Sequence, residues 1–183
     1  PLWHIQLAIL VVIILQLVLD STLSIWPRYL IAAVEVTLLV ALMILSQTNA
    51  TQSFKRSVAI ALVALVTICN VFSLILVAES LFGGDSINGT DLLISAFSIF
   101  ITSIIIFGIW YWEMDYRRVD KPLHFLFSQE SVPESTGINE NWDPTFFDYL
   151  YLSVVNAMSF SPTEAMPLTH SAKAIMTIQS IIS

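Results

Sequence analysis

Charge is what this chain has least of. Charged residues fill 11% of its 183 positions, with seven lysines and arginines against fourteen acids. So few ionisable groups cannot cover the surface of an ordinary soluble domain. The net charge of −7 excludes the basic face that a nucleic-acid partner requires and favours inorganic cations as clients. Cysteine is reduced to Cys69, inside an apolar run, so no intrachain disulfide and no cysteine metal cluster can form; packing is its expected role. His4, His124 and His170 are scattered, and no metal-ligand spacing, glycine-rich phosphate loop or internal repeat is present. No nucleophile, base and orienting partner stand at a recognisable spacing. Catalysis, a resident metal and a cofactor are therefore not expected.

What remains is apolar: 56% of the residues are hydrophobic and the mean hydropathy is +0.80. Several runs approach the roughly 20 residues that cross a bilayer and lack the alternation of barrel strands, so the expected fold is an all-α integral membrane protein, multi-pass in the plasma membrane. Leu2–Leu19, Tyr29–Leu45, Val58–Phe82 and Leu92–Trp112 are the expected crossings, bounded by Pro27, by the polar run SQTNATQS and by Gly83-Gly84-Asp85. Trp110, Tyr111, Trp112 and Tyr116 read as an interfacial aromatic belt. On this reading residues 1–113 form a four-helix region, 114–143 an acidic polar loop, and 144–183 a re-entrant element with the start of an inner helix, all in one membrane domain. LHFLF, at 123–127, is expected as a short surface helix or interfacial dip. The chain begins at Pro1 and stops at Ser183, shortly after a new apolar segment begins near His170, so that last helix is expected to be truncated. No cleavable signal peptide is legible at the start.

The segment from Asp143 to Thr169, DPTFFDYLYLSVVNAMSFSPTEAMPLT, departs from these runs. Asp143 can cap a helix with Pro144 in its first turn, and no further proline follows before Pro162. The resulting helix of about 15 residues, roughly 22 Å, is too short to span about 30 Å of hydrocarbon. Ser159, Ser161, Pro162, Thr163 and Glu164 then supply a polar return. Irregular backbone at membrane depth survives only where protein buries it or water lines it, so a re-entrant helix is expected. A surface amphipathic helix or an ordinary loop helix are the alternatives.

The 25 residues YLYLSVVNAMSFSPTEAMPLTHSAK resemble, without gaps, the pore helix, filter and inner-helix start of potassium channels, within the pore-loop cation channel superfamily. Leu152-Ser153-Val154-Val155 corresponds to the pore helix, Glu164 to the acidic residue closing the filter, and Pro167-Leu168-Thr169 to P-V-T. The family's T-V-G-Y-G filter lines up carbonyls that replace the ion's hydration shell. Here Ser159, Phe160, Ser161, Pro162 and Thr163 occupy that stretch and both glycines are missing, so the resemblance implies a pore without implying strict potassium selectivity. The segment is also similar to an uncharacterised group of bacterial membrane proteins with the motif D-Y-x-Y-x-S-x-x-x-G-M-T-F-x-x-S-D. Asp148-Tyr149, Tyr151, Ser153, Met158-Ser159-Phe160 and Thr163-Glu164 fit it, with Ala157 in place of glycine.

These resemblances imply an oligomeric cation channel, a homotetramer or another cyclic ring surrounded by lipid, weakly selective or selective for an ion other than potassium. The hydroxyls of Ser159, Ser161 and Thr163 would meet the permeant cation, Phe160 and Pro162 would shape the constriction, and Glu164 would form an acidic ring at the mouth. Asn156 is expected to hydrogen-bond a neighbouring subunit. The plainer alternative is that these groups cap turns and satisfy backbone. Nine of the fourteen acids, Glu113, Asp115, Asp120, Glu130, Glu134, Glu140, Asp143, Asp148 and Glu164, lie between the fourth run and the return, as an acidic approach or a solvated loop. Glu35, alone within IAAVEVTLLVAL, should face protein or water. It opens a second reading, a proton-coupled or other secondary transporter; a third is a non-conducting scaffold or sensor with a pore-like fold. Six basic residues fall on one side of the four runs and Arg28 on the other, which puts the mouth in the cytoplasm by the positive-inside rule, whereas the channel resemblance puts it outside.

Overall fold

The computed structural model describes residues 7, 8, 10–12, 14, 15, 37, 40, 52–83, 88–115, 123–130, 142–159 and 165–183. The chain is mostly helical, and two helices are long and apolar enough to cross a membrane. These are α1, Gln52–Gly83, and α2, Gly89–Met114. After them come strand β1 (Phe125–Phe127), a 3₁₀ turn (Ser128–Glu130), α3 (Phe146–Ala157), β2 (Ala165–Pro167) and α4 (His170–Ile182). Of the first two apolar runs, only residues 7, 8, 10–12, 14, 15, 37 and 40 are described, all helical; Glu35 and the rest lie outside the described residues.

The chain divides into two compact units, Pro1–Ile106 and Phe107–Ser183, with the boundary inside α2. In the first unit the helices are apolar nearly all round, so large apolar side chains are found on both their buried and their exposed faces: Leu62, Val63, Val66, Val77, Ile99, Ile104 and Ile106 are buried. The buried face of α2 carries Ser95, Ser98, Thr102 and Ser103, while Leu93 and Phe97 are 72% and 63% exposed. Likewise α1 buries Ala59, Cys69 and Asn70 while exposing Ile68, Phe72 and Ile75. Small side chains let helices approach closely.

The second unit is built on an aromatic core of Phe107, Tyr111, Phe125, Phe127 and Tyr149, completed by Leu152, Ala165, Ala172 and Met176. Phe125 meets Tyr111 at 5.3 Å between ring centroids and Phe127 meets Tyr149 at 5.2 Å, both edge to face. Tyr111 is thus not part of an interfacial belt: its side chain is fully buried, because the core that receives it is assembled from residues far along the chain. LHFLF is likewise not a surface helix. Phe125 and Phe127 are buried on alternate positions and pair antiparallel with Pro167 and Ala165, with Leu126 opposite Met166.

The short helix starts later than its sequence predicts. Thr145, not Asp143, is its N-cap, because the carboxylate of Asp148 reaches back to accept from the Thr145 N–H at 2.6 Å and from its hydroxyl at 2.7 Å. Pro144 therefore precedes the helix. With 12 residues, α3 is about 18 Å long, shorter still than expected.

Gly108 sets how closely α2 and α3 approach. A Cβ built there would stand 3.1 Å from Leu150 Cδ1 and 3.2 Å from Leu150 Cα. The methyl can swing aside; the backbone atom cannot. Gly108→Val is expected to destabilise the protein by about 2 kcal/mol in thermal unfolding of the detergent-solubilised protein, whereas Gly89→Ala, with open space at the Cβ position, should be tolerated.

Candidate functional site

Four chain segments meet at the C-terminal end of α2. Asp115, just past that helix and almost fully buried, accepts the backbone N–H of His124 on Oδ1 at 2.9 Å and the Tyr149 hydroxyl on Oδ2 at 3.0 Å. It thereby ties the start of the β1–β2 ribbon and the first turn of α3 to α2. The Leu168 N–H donates to the His124 carbonyl at 2.8 Å, which prolongs the ribbon pairing. His124 Nδ1 lies 2.7 Å from Thr169 Oγ1, and Thr169 caps α4 by accepting the Ala172 N–H at 3.3 Å. The starts of α3 and α4 are therefore held side by side at one level.

A second polar node lies deeper. Gln179 of α4 has no exposed surface. Its Nε2 donates to the Ser153 carbonyl at 2.9 Å and to Ser153 Oγ at 2.8 Å, both on α3. Its Oε1 accepts from the Tyr111 hydroxyl and from Asn156 Nδ2, so every donor and acceptor of the amide is used. Asn156 Nδ2 also reaches the Met176 carbonyl at 2.9 Å and the Tyr111 oxygen at 3.2 Å, while Ser180 Oγ donates to Asn156 Oδ1 at 3.4 Å. A buried polar group costs heavily when unpaired, so a node this complete fixes the register of three helices. Asn156 thus bonds to three groups of its own chain through Nδ2.

The two nodes define depth. Thr169 sits beside His124 at the ribbon, whereas the last turn of α3, through Asn156, contacts α4 at Met176 and Gln179. Those residues lie seven to ten positions further on, roughly 10–15 Å along the helix. The chain thus leaves α3 at that depth and resumes at β2 beside the ribbon, with residues 158–164 between. Met158 and Ser159 close the helix: their N–H groups donate to the Val154 and Asn156 carbonyls at 3.0 Å and 3.2 Å. Ser159 is exposed and takes the left-handed φ of 56° that reverses a chain after a helix.

Of the sequence-predicted site residues, Asn156 and Ser159 are described; Phe160, Ser161, Pro162, Thr163, Glu164 and Glu35 lie outside the described residues. The acidic approach is partly something else. Asp115 and Asp148 serve the chain's own donors, Glu130 Oε2 accepts the Phe127 N–H at 2.8 Å, and Glu113 is buried. Asp143 is exposed, and the other four acids lie outside the described residues. Tyr111, Asp115, His124 and Ser153, which the sequence suggests for other roles, carry the geometry together with Gln179, which it does not single out. For Gln179 a signal existed, an uncharged amide in an apolar helix, of the same kind as Asn156. No known protein family, curated protein or solved structure matches the chain.

Proposed function

We infer that this chain is a multi-pass membrane protein whose C-terminal unit contributes one subunit's share of a cation-conducting ring. The four apolar runs cross the plasma membrane, α3 enters without crossing, and residues 159–164 return toward the ribbon along the axis. The length and hydropathy of α1 and α2, with large apolar side chains such as Ile68, Phe72, Leu93 and Phe97 exposed on them, support a lipid environment. The observation that carries the pore is the depth relation: α3 ends beside Met176 and Gln179 while the chain resumes beside His124. With Met158 and Ser159 in the closing turn, the five residues 160–164 can span at most about 17–18 Å, enough for that climb. Backbone of this kind inside a membrane must be covered by protein or face water, and a closed ring of identical subunits provides both.

On this reading Ser159, Ser161 and Thr163 meet the ion and Glu164 raises its local concentration at the mouth. Without filter glycines the ring is weakly selective, or selective for an ion other than potassium. A carrier that moves its broken helix is disfavoured by the saturated node around Gln179, which suits a fixed support. The purified protein in planar bilayers is expected to pass cation current, and Glu164→Gln should lower conductance at low salt severalfold and less at high salt, since screening shortens the reach of a surface charge to about 10 Å at 0.1 M. Current indifferent to Glu164→Gln at every salt concentration would remove Glu164 from the path.

A further inference from the structure

Resting on the ring reading, we propose that neighbouring copies meet through α3 of one and α4 of the next, locked by an ion pair between Asp143 and Lys173. On α3, Phe147 and Tyr151 stand four apart on one exposed face, with the exposed Met158 at its C-cap; Phe147 is 70% exposed. Asp143 is exposed directly ahead of that helix. On α4, Lys173 is exposed with Thr177 one turn further along the same face.

Among the described residues of the second unit, charge singles out the pairing. Lys173 is the only lysine or arginine among the described residues of the second unit, and it makes no ion pair among the described residues. Asp115, Glu130 and Asp148 already accept from their own chain, which leaves Asp143 as an exposed carboxylate. Both charges lie within about one turn of a helix start. Lys173 stands one turn after the cap Thr169, Asp143 stands just before the cap Thr145, and both helix starts are anchored to the His124–Asp115 level. A lone cation in lipid is costly, and a carboxylate on a second copy offsets that cost. The two faces differ, so the contact is heterologous, the kind that the proposed ring requires.

The test uses the full chain in detergent, with oligomer mass read by light scattering across a dilution series. The wild type is expected to form a ring, Lys173→Glu and Asp143→Lys each to weaken assembly by about tenfold or more, and the double charge swap to restore it. Recovery in the double variant rules out misfolding as the cause of the single losses. Single variants that assemble like the wild type, or a double swap that does not recover, would overturn the pairing while leaving the ring intact. A wild type that stays monomeric throughout would overturn the ring and the pairing together.

Discussion

Asp115→Ala is expected to destabilise the protein by about 3–5 kcal/mol, the largest effect of any single change proposed for it. The carboxylate is almost fully buried and holds two donors, the His124 N–H and the Tyr149 hydroxyl, on separate oxygens. Alanine strands both where water cannot replace the acceptor, and a hydrogen bond to a charged group contributes about 1.5–3 kcal/mol. The ribbon start and the first turn of α3 would lose their common anchor on α2. Asp115→Asn separates charge from geometry. Its amide oxygen can still accept from His124 and its NH₂ can donate to the Tyr149 oxygen, so its cost should stay near 1–2 kcal/mol. Thermal unfolding of the three proteins in one detergent, monitored by helical circular dichroism, measures the order. Equal losses for both variants would mean that the negative charge, not the pair of hydrogen bonds, holds the junction.

Gln179→Leu is expected to cost about 3 kcal/mol although it replaces a polar residue with an apolar one in an apolar helix. Intrinsic preference favours leucine there. The node decides the sign: the Tyr111 hydroxyl loses its acceptor, Asn156 loses one of its partners, and the Ser153 carbonyl loses its donor, all in the interior. Ser153 Oγ can turn to its own helix backbone, which limits the loss. Ile178→Leu next door, on a half-exposed position, serves as the control and should change stability by less than about 0.5 kcal/mol. In bilayers the same substitution should reduce the current, because α3 would no longer be held to α4 behind the return. Full stability in Gln179→Leu would show that the helices are registered by shape alone.

The parts of the fold legible in the sequence were those whose causes are local. Continuous apolar runs marked α1 and α2, though Gln52–Gly83 begins before the apolar stretch because SFKRS continues the helix. Phe146–Ala157 was legible from the prolines and polar residues around it, but its start was not: Asp148 is a less familiar third-position partner for a capping threonine than glutamate, and Asp143 offered a competing cap. The strand Phe125–Phe127 was hidden because three residues carry little periodicity and their partner is Ala165–Pro167, forty residues away. The nodes were hidden for the same reason. Tyr111 and Gln179 are separated by 68 positions and Tyr149 and Asp115 by 34, so no spacing rule joins them, and a tyrosine beside two tryptophans reads as a membrane belt until its partners are in place. Asn156 stands out as a polar residue in a short helix, but the α4 carbonyl it meets carries no mark in sequence.

The claim that residues 159–164 line a conducting axis is tested most directly by placing a cysteine at Ser161, with Cys69→Ala removing the native thiol, and recording bilayer current while a cationic thiol reagent is added. A reagent that fixes positive charge in the path should abolish most of the cation current within the time of modification, and a reducing agent should restore it. Steady current through a channel whose Ser161→Cys thiol is shown by mass to be fully modified would contradict the account, as would a folded, ring-forming wild-type protein that passes no current at all.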